Sequence, residues 1–461
     1  MTAAPPRAPS ARPRAAVAPW ARTPAWRALR RAVAFGLALL RGLSARPLAS
    51  YYLLVASAGL LLVIGLTMVF SATSVEAYVA DGNAFTQIQK QGLLAVLGLV
   101  AFWLCQRLPV RTYRTLAKPF LIAAFAMVIA LDVLSLLASA GVLEDPKFGP
   151  LRADELWLYL GPLQIQPSEF AKLALALWVA DVLVRKGEDA GSWRELSRPL
   201  FPVAGLLLVL VGYNDLGTML TLLVLFVGIL WAAGVRLRVF AGMAVTAMLG
   251  IVALIYLPGN QYRSARIEGF LHPELGQLGD AYQVREGLFA IANGGWFGVG
   301  LGEGRLKWGW LPNGHNDFIF AVIAEELGVV GCALVLLLFG VLTYTGLRIA
   351  RRVSHPFRRL VAAGITTLIA GQATINIAGV VGLMPVTGLP LPLISDGGSA
   401  LVVTLAMIGV LASFARAEPD AARALHARPP GRLARLLWAP LPPMPVRVGR
   451  GQSTERVDDD D

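Results

Sequence analysis

The sequence predicts an all-α polytopic membrane protein. It is expected to have about ten transmembrane helices, cytoplasmic N- and C-termini, and a large extracytoplasmic loop between spans 7 and 8. Three observations carry this. Of 461 residues, 56% are hydrophobic and only 15% charged, with a mean hydropathy of +0.62, which sets the chain apart from soluble enzymes. Its apolar residues come in runs long enough to cross a hydrocarbon core. Most of its 41 lysines and arginines fall in alternate segments between those runs, the asymmetry that keeps basic loops inside. Topology therefore accounts for the net charge of +12, and no nucleic-acid partner is expected. Cys105 and Cys332 both lie in apolar runs, so a disulfide framework is not expected either.

Taken in order, residues 1–48 hold no acidic residue and are rich in Arg, Ala and Pro. They read as a disordered basic cytoplasmic tail lying on anionic membrane lipid. Ten apolar runs then cover about 51–70, 90–105, 119–139, 168–184, 199–213, 216–234, 239–257, 317–347, 360–383 and 400–415, and residues 49–416 form the membrane domain. The fifth and sixth runs almost touch at Tyr213-Asn214-Asp215 and could be one broken hairpin. The eighth is longer than a span needs and projects beyond the bilayer. The loop before it carries Arg263, Arg266, Arg285, Arg305 and Lys307, cations on the side that the inside rule disfavours. Residues 417–461 read as a disordered cytoplasmic tail ending in the acidic cluster Asp458–Asp461, a candidate contact for cytoplasmic proteins.

Four polar constellations interrupt the apolar pattern. In Gln166–Lys172, Glu169 and Lys172 lie three residues apart on one helix face. Helix-start chemistry, with Pro167 in the first turn and Glu169 on the dipole, explains part of this. A Lys inside an apolar run is less easily explained, because a buried ion pair is a poor stability device. Removing either charge is expected to harm activity more than stability. Trp157, just upstream, suits an interfacial aromatic belt. In Asn214–Thr218, capping of the next helix by Asn214 or Asp215 is the simpler reading. His315-Asn316-Asp317 follows a glycine-rich, cationic loop whose backbone is free to approach a ligand. Glu325 and Glu326 lie about 12–13 Å further along that helix and should pair with a polar group on a neighbouring span. Finally, Met384–Ser399 contains three prolines and three glycines and cannot be a regular helix. Such backbone near membrane depth must be buried in protein or line a wet cavity.

The segments QPSEFAK at 166–172, NDLGT at 214–218, HNDFIFAVIAEELG at 315–328 and PVTGLPLPLISDGGS at 385–399 resemble the signatures of the SEDS family, of the FtsW and RodA type. The likeness covers about residues 50–415. The basic N-terminus, the long C-terminal tail and SEFAKLALALWVADVLVRK look most like the actinobacterial FtsW branch. The resemblance implies a peptidoglycan glycosyltransferase that polymerises lipid II into a β-1,4 glycan strand at the outer face of the cytoplasmic membrane, at the division septum, alongside a class B penicillin-binding protein. It places the catalytic base at Asp317. Glu169, Lys172, Arg263, Arg266, Lys307, Trp157, Ser395 and Ser399 are the expected substrate-binding residues. Asp215, Glu325 and Glu326 are expected as intramembrane polar residues. No cofactor is demanded, although a divalent cation, Mg or Mn, would suit a departing diphosphate. The chain departs from the family at Leu156, Asp396 and Ala400. A lipid-linked precursor flippase and a non-catalytic division scaffold are the alternatives, which lipid II polymerisation by purified protein separates.

Overall fold

The computed structural model describes residues 46–444, except 141, 143–146, 150, 155, 161–162, 188–195, 197, 257–269, 271–279, 306–307, 309–310 and 312–313. The described residues from Ser50 onward form one compact unit, which carries the helical bundle. Helices α1 (Ala49–Asp81), α2 (Thr86–Cys105) and α3 (Val110–Ser139) lead into four short strands. Then come α4 (Pro167–Lys186), α5 (Leu200–Asn214), α6 (Leu216–Ala232), α7 (Leu237–Tyr256), α8 (Asp280–Gly294), α9 (Ile319–Arg352), α10 (Pro356–Val380), α11 (Ser399–Arg416), α12 (Pro419–Ala427) and α13 (Arg432–Leu437).

Every apolar run read from the sequence coincides with one of these helices. Six, namely α1, α2, α3, α9, α10 and α11, are long and apolar enough to cross a membrane. Helices α5 and α6 are shorter, as is the apolar part of α7, and α4 is long enough but carries Glu169, Lys172 and Asp181. Helix α4 is the central element. It is buried at every position from Ala171 to Ala180 and packs against α3, α6, α10 and α11. By contrast, α2 exposes Leu93, Val96, Val100 and Leu104 on its outer side. A helix that is apolar on both faces keeps one for the core and presents the other to lipid.

Two expectations need correction. The fold is not purely α-helical. Strands β1 (Lys147–Phe148), β2 (Leu151–Asp154), β3 (Trp157–Leu160) and β4 (Leu163–Ile165) form an antiparallel meander in the order β1-β2-β3-β4. Strands this short carry almost no periodicity. Their anchor is tertiary: Ala153 and Leu158 are buried against Leu131 and Leu134 of α3. Nor is the segment after residue 416 unstructured throughout. Helices α12 and α13 precede a strap in which Trp438 Nε1 donates to Tyr51 Oη, while Gln106 Nε2 donates to Trp438 O at 3.3 Å and Arg416 Nη2 to Ala439 O at 3.4 Å. This strap ties the ends of α1, α2 and α11 together. Glu418, 1% exposed, has its carboxyl pushed above the usual range by burial, an effect opposed by Ser50, Arg348 and Arg352. The basic tail at 1–45 and the cluster Asp458–Asp461 lie outside the described residues.

The fifth and sixth runs do meet at a break. Asp215 alone separates α5 from α6, in an extended conformation at φ −136° and ψ 94°.

Candidate functional site

The glycine-rich loop and the two glutamates form one device. Gly328 stands inside α9 at φ 66° and ψ −163°, which breaks the helix. Four backbone groups thereby lose their helical partners and find others. Val299 N donates to Glu325 O at 2.9 Å and Gly300 N to Glu326 O at 3.2 Å, while Val329 N donates to Gly295 O at 3.0 Å and Val330 N to Trp296 O at 3.2 Å. The loop thus replaces the missing turn of helix, as a buried backbone requires. The side chains complete the clamp. Glu325 Oε1 accepts from Arg305 N at 3.0 Å and Glu326 Oε2 from Gly302 N at 3.1 Å. Ser71 of α1 donates to Glu326 at 2.7 Å. Ser71 is the polar group on a neighbouring span that Glu326 was expected to find.

Asp317 lies just before α9 and is 6% exposed. It lines a small cleft together with Asn376, Gly379, Val380, Val386, Thr387, Gly388 and Leu389. Its main chain is held from two sides. Asn376 Nδ2 donates to Asp317 O at 2.7 Å, and Asp396 N donates to His315 O at 3.1 Å. The 385–399 loop is therefore stitched to the 315–317 segment. Asp396, for which the sequence suggested no role, also accepts a hydrogen bond from Gln87 Nε2. Burial holds its carboxyl above the ordinary range, against the opposing pull of that bond and of His315 and Lys90.

The other two motifs reach the same junction. Lys172 Nζ is 2.5 Å from Glu169 Oε1 and donates to Gln372 Oε1 at 3.0 Å; Gln372 Nε2 in turn donates to Pro390 O at 2.9 Å. With side-chain exposures of 0% and 2%, this pair lends no surface to the Asp317 cleft. It braces α4 against α10 and the 385–399 loop. Ser399 Oγ accepts from Gln166 N at 3.1 Å, and Ser395 Oγ accepts from Leu391 N at 2.7 Å, so both hydroxyls shape the loop. The ring of Trp157 lies against Gly398, where an added Cβ would sit 3.1 Å from Cη2. Gly217 packs so tightly on the same loop that a Cβ there would fall 2.5 Å from Thr387 O.

Asp215 takes the capping role. Its Oδ1 accepts from Thr218 N at 2.8 Å and its Oδ2 from Thr218 Oγ1 at 2.6 Å. Asn214 Nδ2 donates to Asp132 Oδ1 at 2.6 Å. These residues line a second cleft with Pro167 and Ser168. Arg263, Arg266 and Lys307 lie outside the described residues. Arg305, from the same loop, is held by its backbone to Glu325, and Arg285 lies over Tyr282.

Residues 51–419 match the family model of the FtsW, RodA and SpoVE cell cycle proteins. The chain belongs to this family. It is 42% identical over 398 residues to the probable peptidoglycan glycosyltransferase FtsW of Mycobacterium tuberculosis, covering 86% of this chain and 74% of that protein. A chain from a solved peptidoglycan synthase complex, described as coordinating polymerization and crosslinking, superposes with a TM-score of 0.62 at 27% identity, over 79% of this chain and 96% of that one. The rod shape determining protein RodA of Thermus thermophilus superposes with a TM-score of 0.53 at 28% identity, over 80% of this chain and 97% of that one. As an FtsW/RodA/SpoVE member with several apolar helices, the chain is a multi-pass membrane protein. Sequence reasoning missed Gln372 and Asn376, which brace this family member's loop, and Ser71, Gln87 and Asp132. A signal was present for the first two: polar residues four apart in an otherwise apolar run share one helix face.

Proposed function

We propose that this protein is a peptidoglycan glycosyltransferase that polymerises lipid II into β-1,4 glycan strands at the outer face of the cytoplasmic membrane during cell division. The kinship with proteins so named supports the activity. The observation that carries the site is that Asp317 and the 385–399 loop line one cleft, while the 166–172 and 214–218 motifs pack against that loop. Ten spans with both termini inside place that cleft outward, in keeping with the basic residues of the opposite loops. Lipid II and the growing strand are the substrates, and a class B penicillin-binding protein is the partner. The acidic cluster Asp458–Asp461 serves cytoplasmic division proteins.

The chemistry follows from the substrate. The donor sugar is α-linked to a lipid diphosphate and the product is β-linked, so the displacement inverts. Asp317 as carboxylate takes the proton of the acceptor 4-hydroxyl. That oxygen bonds to the donor anomeric carbon on one face. The bond from this carbon to the diphosphate oxygen breaks on the other, and the lipid diphosphate leaves with the electron pair. Cations of the 258–316 loop, Arg263, Arg266 and Lys307 among them, neutralise it. Among the described residues no group of three or more His, Cys, Asp or Glu is placed to hold a metal ion. A divalent cation such as Mg or Mn would add positive charge at the departing diphosphate.

The test is reconstitution of the full chain with its class B penicillin-binding protein and lipid II, with and without EDTA. Wild type should form polymer, and Asp317→Asn should lose it by about a hundredfold or more while retaining its fold and its partner. Near-normal polymer from Asp317→Asn would overturn the base assignment. Lipid II translocation without polymer would turn the reading to a flippase.

A further inference from the structure

Asn376 of α10 is 4% exposed, and its amide is fully constrained on one side. Nδ2 has two hydrogens and donates both, to Asp317 O at 2.7 Å and to Leu389 O at 2.7 Å. Turning the amide over would set its oxygen against two carbonyl oxygens with no donor between them, so the orientation is fixed. The remaining polar atom is Oδ1. It is buried and has no hydrogen-bond partner among the described residues, and Asn376 lines the same cleft as Asp317. An unsatisfied buried acceptor is destabilising, and here the side chain bearing it also holds the main chain of the candidate base.

We infer that Asn376 is a substrate-binding residue whose Oδ1 accepts a hydrogen bond from an acceptor-sugar hydroxyl flanking the one that reacts. An amide oxygen can only accept. It repels an ionised diphosphate and attracts a carbohydrate hydroxyl, and its bond to the main chain of Asp317 puts it on the acceptor-sugar side of the reaction. Because the same side chain bonds Asp317 O, the sugar contact and the base are held in one fixed relation. That is the positioning a hydroxyl needs before its proton can be removed. The inference rests on Asp317 as the base for the direction of the reaction; the hydrogen bond itself stands apart from it.

The experiment uses the full chain with its class B penicillin-binding protein. Its substrates are lipid II and two analogues whose terminal N-acetylglucosamine lacks either the 3- or the 6-hydroxyl. Wild type should lose about tenfold or more in kcat/KM with one of the analogues, as a site built around a hydroxyl does when that hydroxyl is missing. Asn376→Ala should lose a similar factor on lipid II, and little more when the analogue and the variant are combined. A purely structural role for Asn376 makes the two losses multiply, and multiplication with both analogues would overturn the inference. Asn376→Gln, which keeps both the amide donors and the acceptor, covers a failure of the Ala variant to fold. It should retain the wild-type discrimination between lipid II and the analogue, and loss of that discrimination would equally count against the contact. Asp317→Asn is assayed in parallel. Activity in that variant removes the base reading and leaves the coupling between Asn376 and the sugar hydroxyl to stand or fall by itself.

Discussion

Gly328 shows how one residue can set the shape of a site eleven positions away. Its φ of 66° lies where only glycine is comfortable. A Cβ there would meet Gly298 N at 2.4 Å and Phe297 N at 2.7 Å, both of them backbone atoms that cannot rotate away. Strain of about 1–3 kcal/mol is thus joined by a clash with the loop that Glu325 and Glu326 clamp. Gly328→Ala should lower stability by roughly 3 kcal/mol or more, read as a lowered unfolding temperature in detergent, and should reduce polymerisation with it. An Ala variant melting with the wild type would show that the helix break tolerates a side chain and that the loop is held by other means.

At the level of elements, α4 and α10 are joined by the Glu169–Lys172–Gln372 chain. Both charges are enclosed, so the structure moves the expected effect of losing one of them from activity toward stability. Breaking a buried pair leaves the partner charge without compensation and costs about 3–5 kcal/mol, whereas replacing both members is often close to neutral. Lys172→Met should therefore destabilise strongly, and Glu169→Gln combined with Lys172→Met should recover much of the loss. Equal unfolding temperatures for the single and double variants would contradict this account. The ten helices at the apolar runs were legible from those runs, whereas α8, α12 and α13, which are short or polar, were not. The strands at 147–165 were not, since two to four residues cannot express a period, and their register depends on α3. At the site, Asp317 stood out as an acid between a cationic loop and an apolar run. Lys172 and Glu169 stood out as charges in an apolar run, but their enclosure was not legible, because sequence records charge and not burial. Asn376 escaped notice because an amide inside a span announces itself less than a charge does.

On the scale of the whole molecule, orientation is the property that decides what the cleft can reach. In a variant with Cys105 and Cys332 replaced by Ala, a cysteine at exposed Asn83 should react with an impermeant maleimide added outside, and one at exposed Gly431 only after the membrane is opened. The reverse pattern would invert the topology and remove lipid II polymerisation at the outer face. Depth matters as much as side. Helix α9 has 34 residues, about 51 Å if straight, against a hydrocarbon core of about 30 Å. The break at Gly328 resolves the excess. The segment from Val329 to Arg352 is by itself about 36 Å long and is the part that must match the lipid. The turns from Ile319 to Leu327 belong to the layer above it, bonded to the glycine loop. The acids at 317, 325 and 326 need never enter hydrocarbon. The break thus works as a depth gauge: bilayers of different thickness are met by tilt in the lower segment, while the carboxylate proposed as the base keeps a constant height above the acyl chains.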